Sequence, residues 1–317
     1  MAGGGESKKA IYAALFGNLA IAISKLVAAL FTGSTSMWAE TYHSFSDTFN
    51  QVLLLLGLKA SKKESNENYP FGFGKEQFFW SFVVAILIFG VSGVLSLEHG
   101  ISYFLGGHES HRVENTLINY IILALAFVFE ANAIRIAFAL FRKSIEGRGD
   151  KLTIPVLFTE LKENKDPVII TVLVEDAAAL LGIVIAAVAL LLSDITGNTA
   201  YDAIGSLMIG IVLMVFALFL ARENRGMLIG ESMSKRDYKK VYDAVDSIKE
   251  VKKIKTIRTM HFAPEDVLIA IEVSLIDELD TNTIESVINS IELKIKQAIP
   301  YVNPSKIYVE LTQESKQ

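Results

Sequence analysis

Cysteine is absent from this chain of 317 residues. Without thiols the protein has no disulfides and no thiolate metal sites, so any bound metal must be held by histidine, carboxylate, amide or carbonyl groups. The chain also lacks the glycine-rich phosphate-binding motif of the P-loop kind, which argues against an ATP-driven pump. Its net charge of −5 gives no reason to expect a nucleic-acid partner.

Long hydrophobic runs are the most prominent feature of the sequence. Of all residues, 51% are hydrophobic, and the mean hydropathy is +0.40. A run of about twenty apolar residues can cross a hydrocarbon core of about 30 Å as a helix. The first run is too long for the apolar region of a cleavable signal peptide. We therefore predict an α-helical membrane protein with six crossings, at residues 10–32, 37–58, 78–105, 116–141, 168–192 and 200–221.

Basic residues predict the orientation in the membrane. The connections 59–77 and 142–167 are rich in lysine and arginine, whereas the other three connections together hold only Arg112. By the positive-inside rule, the two basic loops and both termini face the cytoplasm. No transit peptide is visible at the start of the chain, which favours the plasma membrane of a prokaryote as the location.

One predicted crossing carries a polar stripe. His43 and Asp47 are four residues apart, so a helix places the imidazole and the carboxylate on one face. Glu40 precedes this pair by one turn, and Asn50 follows it by one turn. Ionisable groups at membrane depth cost several kcal/mol unless they are paired or hydrated, and they mark functional sites by default. The stripe therefore predicts a cation pathway.

The composition changes after Ala221 to that of a small soluble domain. Its patterns predict the order α-β-β-α-β, a ferredoxin-like three-stranded sheet covered by two helices. So small a sheet leaves edges or a face that pairing with a second copy would cover, which favours a homodimer. The predicted domains are a flexible N-terminus (1–9), a six-helix transmembrane domain (10–221) and a cytoplasmic domain (222–317). The predicted tail elements are helices 235–248 and 281–298 and strands 254–262, 267–275 and 306–311.

Four motifs stand out along the chain. They are Ala39-Glu40-Thr41-Tyr42-His43-Ser44-Phe45-Ser46-Asp47, Tyr69-Pro70-Phe71-Gly72-Phe73-Gly74-Lys75-Glu76, Glu175-Asp176-Ala177-Ala178-Ala179, and Asp202 with Gly205. Together they resemble the cation diffusion facilitator transporters, which are proton-coupled exporters of divalent transition metals. The resemblance covers almost the whole chain, and the segment from Lys165 to Asp176 is most similar to the branch that contains mitochondrial zinc transporters.

This resemblance implies a homodimer that works by alternating access around a central site with four metal ligands, two from the second helix and two from the fifth. His43, Asp47 and Asp176 match three of these ligands. The fourth position falls on Val172, which cannot coordinate a metal. Glu175 is the expected substitute, and the alternative is that water fills the position while Glu175 faces a neighbouring helix.

One imidazole and two or three carboxylates suit Zn²⁺, and they also suit the harder ions Mn²⁺ and Fe²⁺, with Co²⁺ as a further alternative. Ligands must lose protons to bind metal, so metal binding expels protons and protonation releases the metal. We therefore expect zinc to be transported in exchange for H⁺, and we expect no enzymatic activity. A metal-gated channel or sensor is the alternative in a different functional class.

Other polar positions have weaker predicted roles. His108 and His111 in an external loop form either a metal release site or an ordinary solvated loop. His261 in the tail would need Asp266 or Glu310 to bind a metal, and a lone histidine is the preferred interpretation. Tyr69, Phe71 and Phe73 occupy positions where many family members have zinc-binding histidines, so they predict a packed turn. Glu130 is predicted to line the pathway or to pair with Lys25.

Overall fold

The computed structural model describes residues 4–105, 116–146 and 166–312, and this part of the chain is mainly helical. The first helix begins inside the segment that was predicted to be flexible. The third helix has a π-helical middle section, Ile88–Val94. The six long helices are α1 (Gly4–Thr32), α2 (Thr35–Ser61), α3 (Glu76–Leu105), α4 (Thr116–Glu146), α5 (Pro167–Thr196) and α6 (Ala200–Ile229).

Five of these helices are long and apolar enough to cross a membrane, namely α1, α3, α4, α5 and α6. Helix α2 is absent from this set although it has 27 residues. Its polar stripe explains the difference, because Glu40, His43 and Asp47 lower its hydropathy. These three side chains are nevertheless buried. A sixth crossing by α2 stays a prediction, and burial of the stripe is what such a crossing requires.

Local signals place the ends of α5. The Asp166 side chain accepts hydrogen bonds from the backbone N–H groups of Val168 and Ile169, at 3.0 and 3.2 Å. Pro167 occupies the first helical position, where its missing N–H costs nothing. At the other end, Gly197 adopts a left-handed conformation with φ of 68°. These signals fix the length of the helix that carries Glu175 and Asp176.

Helices α3 and α6 approach closely through small residues. A Cβ atom on Gly210 would lie 3.0 Å from the carbonyl oxygen of Gly93. The Ser206 hydroxyl donates to the carbonyl oxygen of Ser96 at 2.9 Å. In a membrane, such contacts allow the backbones of two helices to pack tightly and hydrogen-bond across the interface.

The chain divides into two compact units, and the second contains residues 59–78 and 225–317. The order α-β-β-α-β predicted for the tail is confirmed. Strands β1 and β2 are antiparallel, β2 and β3 are parallel, and β2 is central. Strand β1 begins three residues earlier than predicted. The elements are α7 (Lys235–Asp246), β1 (Val251–Ala263), β2 (Asp266–Leu275), α8 (Thr281–Ala298) and β3 (Ile307–Leu311).

Apolar residues on alternate positions of β2 form the core of this unit. Ile269, Ile271 and Val273 are all buried, since every second side chain of a strand points to the same face. Val241 of α7 and Ile291 of α8 are fully buried in the same cluster. The two helices therefore cover one face of the sheet.

Residues 69–74, which we call the aromatic turn, belong to this second unit. The ring of Phe71 stacks on Phe262 of β1, with centroids 4.9 Å apart and an interplanar angle of 11°. The ammonium groups of Lys75 and Lys306 lie 5.5 and 5.2 Å from the Phe262 ring centroid. Gly74 is required here, because a Cβ would lie 2.5 Å from the Phe262 carbonyl oxygen. The packed turn expected from the sequence is what the structure shows.

Replacing Phe71 by alanine is expected to loosen the aromatic turn while the sheet stays folded. The variant loses the stacked ring, a contact worth about 0.5–1.5 kcal/mol beyond its buried area. Hydrogen exchange measures this, since the amide of Gly72 donates to the Tyr69 carbonyl at 3.0 Å and should exchange roughly tenfold faster. Tyr242→Ala, which removes an aromatic of similar exposure from α7, is the control. Unchanged exchange at Gly72 in Phe71→Ala would contradict the prediction.

Candidate metal centre

His43 and Asp47 lie on one buried face of α2, as their spacing predicts. The two residues are 1% and 7% exposed. The imidazole Nδ1 is 3.2 Å from Asp47 Oδ1. This distance allows ionic attraction, but the atoms are not aligned as a hydrogen bond. Within the described residues, both ring nitrogens of His43 and Oδ1 of Asp47 are buried without a hydrogen-bond partner. Buried polar atoms in this state are suited to receive a cation.

Helix α5 brings Glu175 to the same place. Glu175 is 5% exposed, and its carboxyl group lies within hydrogen-bonding reach of Asp47. The amide of Asn50 donates to Glu175 Oε1 at 2.5 Å. His43, Asp47, Glu175 and Asn50 therefore form a continuous buried row that joins α2 to α5. Glu175 therefore points toward Asp47 and Asn50 of α2.

Asp176 lies beside this row and is only partly buried. Its Oδ2 atom is buried and makes no hydrogen bond within the described part of the chain. Its charge interacts with Glu130, Glu175 and His43. Val172 instead packs against the apolar core, which agrees with its inability to coordinate. The Glu175 carboxylate thus lies beside Asp47 and Asn50, and its role as the fourth ligand stays a prediction.

The side chains are near one another but are not yet arranged as a closed coordination shell. Among residues 4–105, 116–146 and 166–312, no three His, Asp or Glu side chains converge as metal ligands do. Zinc ligands lie about 2.0–2.2 Å from the ion. Binding therefore requires the side chains of the row to turn toward a common centre. The donors fit a divalent cation in chemistry and burial.

A second buried cluster joins α1 to α2. The ammonium of Lys25 is 2.7 Å from Glu40 Oε2 and donates to the Ser44 hydroxyl at 2.8 Å. Of the two roles predicted for Glu130, pairing with Lys25 is corrected, because Glu40 of α2 takes the ammonium. Glu130 is 7% exposed and interacts electrostatically with both Lys25 and His43. Its place along the pathway stays a prediction.

Asp202 joins the N-terminal ends of two helices. It lies in the first turn of α6, and its carboxylate also faces the first residues of α2. Its oxygens accept from the Thr35 N–H at 2.6 Å, the Thr35 hydroxyl at 2.9 Å and the Ser34 hydroxyl at 2.9 Å. Ser36 contributes its N–H at 3.3 Å and its hydroxyl. An anion at a helix N-terminus satisfies donors that have no partner within the helix.

Gly205 explains why Asp202 can reach α2. A Cβ on Gly205 would collide with Ala189 of α5 and lie 3.4 Å from the Cβ of Ser36. The absence of a side chain therefore lets α6 pack closely against both helices. The Asp202 and Gly205 motif holds together the end of the helix that carries His43 and Asp47.

The other predicted metal-binding positions are the histidines of the external loop and of the tail. His108 and His111 lie outside the described residues. His261 is buried, and its Nδ1 lies 3.2 Å from the carbonyl oxygen of Ala263. Asp266, one of its two predicted helpers, is paired with Lys306. The interpretation of His261 as a histidine outside any metal site stays a prediction.

Apolar helices around a buried row of imidazole and carboxylate groups define an integral membrane protein of the cation-transporting class. Residues 11–229 match the cation efflux transmembrane domain, and the chain belongs to this family. The family expected from the sequence motifs is thereby confirmed.

Two of the following relatives share more than two thirds of this chain, and the third shares a shorter stretch. The mouse (Mus musculus) proton-coupled zinc antiporter SLC30A9, mitochondrial, is 34% identical over 223 residues, which cover 70% of this chain and 38% of that protein. Metal tolerance protein C4 of Arabidopsis thaliana is 30% identical over 236 residues, covering 74% of this chain and 50% of that protein. Magnetosome protein MamM of Paramagnetospirillum magneticum is 29% identical over 101 residues, 32% of this chain and 31% of its own length. The chain thus spans half or less of each of these relatives.

Proposed function

We propose that this protein exports Zn²⁺ from the cytoplasm in exchange for protons, by alternating access around His43, Asp47, Glu175 and Asp176. The buried row between α2 and α5 is the observation that carries this proposal. It puts an imidazole and carboxylates side by side within apolar helices, where ionisable groups indicate an ion pathway. The mouse relative named as a proton-coupled zinc antiporter supports the choice of ion and of exchange mechanism.

The ligand chemistry supports zinc as the cargo. One imidazole and three carboxylates match the nitrogen and oxygen ligands that zinc accepts in tetrahedral sites. Mn²⁺, Fe²⁺ and Co²⁺ are the alternative cargoes, because carboxylates also tolerate harder ions. Each ligand must be deprotonated when the metal is bound, so the loading of metal and the loading of protons exclude each other. An open channel is disfavoured by deep burial of the site, since fast conduction needs weak sites that ions leave easily.

The setting of the transporter is part of the same proposal. The basic connections place both termini in the cytoplasm, with α2 as a sixth crossing. A homodimer formed through the transmembrane and C-terminal parts follows from the family resemblance, and lipid is the surrounding partner. The plasma membrane of a prokaryote stays a prediction from the sequence, while the mouse relative is named mitochondrial.

The test is metal uptake by proteoliposomes under an imposed pH gradient. Zn²⁺, Mn²⁺, Fe²⁺ and Co²⁺ are compared in the wild type, in Asp47→Ala and in the control Glu285→Ala, which alters an exposed carboxylate of α8. We expect zinc flux that requires the gradient, is lost in Asp47→Ala and is retained in Glu285→Ala. If no metal moves when the gradient is applied, the antiport mechanism is wrong.

Asn50→Ala should weaken zinc binding without abolishing it. Asn50 holds the Glu175 carboxylate through its amide, and loss of a group that orients a ligand typically costs 10–100-fold in metal affinity. Titration calorimetry of the purified protein measures this affinity. Asn224→Ala is the matched control, because that amide donates only to the Leu220 carbonyl of its own helix. An affinity equal to that of the wild type would show that Asn50 does not position Glu175.

A further inference from the structure

Lys25 is a buried cation that the transport site does not use as a ligand. Its side chain is 0% exposed. The ammonium contacts Glu40 Oε2 at 2.7 Å and Ser44 Oγ at 2.8 Å. A buried charge is costly unless it is paired, and breaking such a pair is strongly destabilising. A lysine so deep in the transmembrane unit therefore needs a reason beyond stability.

The carboxylate that Lys25 holds is itself enclosed. Glu40 is 0% exposed, and its Oε1 atom lies against Gly182 of α5, where a Cβ would collide with it. Within the described residues this Oε1 atom has no hydrogen-bond partner. Glu40 thus has one oxygen held by the ammonium and one oxygen available to a cation. Like Glu175, Glu40 lies between α2 and α5.

Glu40 is a neighbour of His43 on α2. It precedes His43 by three residues, so both side chains lie on one face of α2. Among charged groups, Glu40 and then Lys25 act most strongly on the His43 ring. Ser44, which also holds the ammonium, directly follows His43 in the sequence. The contact with Lys25 holds this carboxylate by one of its two oxygens.

The number of oxygen ligands decides which metals a site prefers. Zinc is usually held by four ligands, whereas Mg²⁺, Ca²⁺ and Mn²⁺ prefer sites with more oxygen ligands. His43, Asp47, Glu175 and Asp176 already supply four ligands. A further carboxylate would raise the number of oxygen ligands and favour a harder ion.

We propose that Lys25 is a specificity-determining residue, whose ammonium holds Glu40 out of the metal coordination shell and thereby keeps the site selective for Zn²⁺ over Mn²⁺. This inference rests on the proposed function, because it takes the row from His43 to Asp176 as the transport site. Lys25 touches no metal and acts through Glu40. It is an internal counter-ion that lowers the number of available ligands.

The test compares zinc and manganese affinities in a set of variants of the full chain. Calorimetry on the detergent-purified protein gives the ratio of the two dissociation constants for the wild type, Lys25→Met and Lys25→Met/Glu40→Gln. In Lys25→Met, the freed Glu40 should shift this ratio roughly tenfold toward Mn²⁺, in the range seen when groups around a metal site are changed. In the double variant, an amide replaces the carboxylate, and the ratio should return to the wild-type value.

Two results would overturn the inference. One is a ratio that stays at the wild-type value in Lys25→Met. The other is an equal shift in the single and double variants, which would indicate a structural role for the pair. If Lys25→Met does not yield folded protein, Glu40→Gln alone is compared with the wild type. Its ratio should equal the wild-type ratio, because Lys25 holds Glu40 outside the coordination shell, and an unequal ratio would then contradict the inference. Binding in detergent requires no transport, so absence of flux in proteoliposomes would overturn the antiport proposal while leaving this ratio measurable.

Discussion

Glu175→Ala is expected to weaken zinc binding roughly 100-fold or more and to abolish zinc transport. Glu175 is the carboxylate that α5 contributes next to Asp47, and it is held by Asn50. Removal leaves three ligands and a gap for water, in a site where the ion has given up its own hydration. Losing a direct ligand should exceed the 10–100-fold effect of losing a group that merely supports a ligand. Calorimetry and proteoliposome uptake measure the two effects.

A second substitution makes this prediction specific. Val172 precedes Asp176 by one helical turn, so Val172→His supplies an imidazole on the Asp176 side of α5. The double variant Val172→His/Glu175→Ala should recover much of the lost affinity, because four ligands are again available. Glu285→Ala, far from the row in sequence and exposed on α8, should bind zinc as the wild type does. Wild-type affinity in Glu175→Ala would instead show that water fills the fourth position.

The polar stripe of α2 could be predicted because helical spacing alone places His43 and Asp47 on one face. Their burial followed from the cost of exposing ionisable groups to lipid. The choice between Glu175 and water as the fourth metal ligand could not be made from helical spacing or from the cost of exposure. It depends on which direction α5 faces, and that is set by packing of the whole helix rather than by neighbouring residues. The contact between Asn50 and Glu175 joins positions 125 residues apart and has no local signal.

One of the two roles predicted for Glu130, pairing with Lys25, was wrong for a related reason. Two carboxylates, Glu40 and Glu130, were available to one ammonium, and sequence position does not say which is nearer. The rotation of α1 against α2 decides in favour of Glu40. The C-terminal domain was easier to predict, because alternating apolar residues in β2 and the helical periodicity of apolar residues in α7 and α8 are local signals. Its sheet therefore agrees with the prediction to within a few residues at the strand ends.

Asp202→Ala is expected to destabilise the transmembrane unit by about 3 kcal/mol, the largest effect on stability that we predict. The carboxylate accepts hydrogen bonds from Ser34, Thr35 and Ser36, and it lies at the start of both α2 and α6. Hydrogen bonds to a charged group contribute roughly 1.5–3 kcal/mol each, but bonds that share one acceptor do not add fully. Alanine would leave several buried donors without a partner at the end of the helix that carries the metal site.

Thermal unfolding of the detergent-purified protein measures the loss, and the midpoint should fall by roughly 5–10 °C. Asp202→Asn keeps an acceptor oxygen but removes the charge, so its midpoint should lie between those of alanine and the wild type. Asp194→Ala is the matched control, since this exposed aspartate of α5 accepts one bond from the Tyr120 hydroxyl at 2.9 Å. Its effect should stay within about 0.5 kcal/mol, as for most surface positions. Equal midpoints for Asp202→Ala and Asp194→Ala would mean that the start of α2 does not depend on the carboxylate of α6. In that case the burial of His43 and Asp47 would have to be maintained by the packing of α2 against α5 alone.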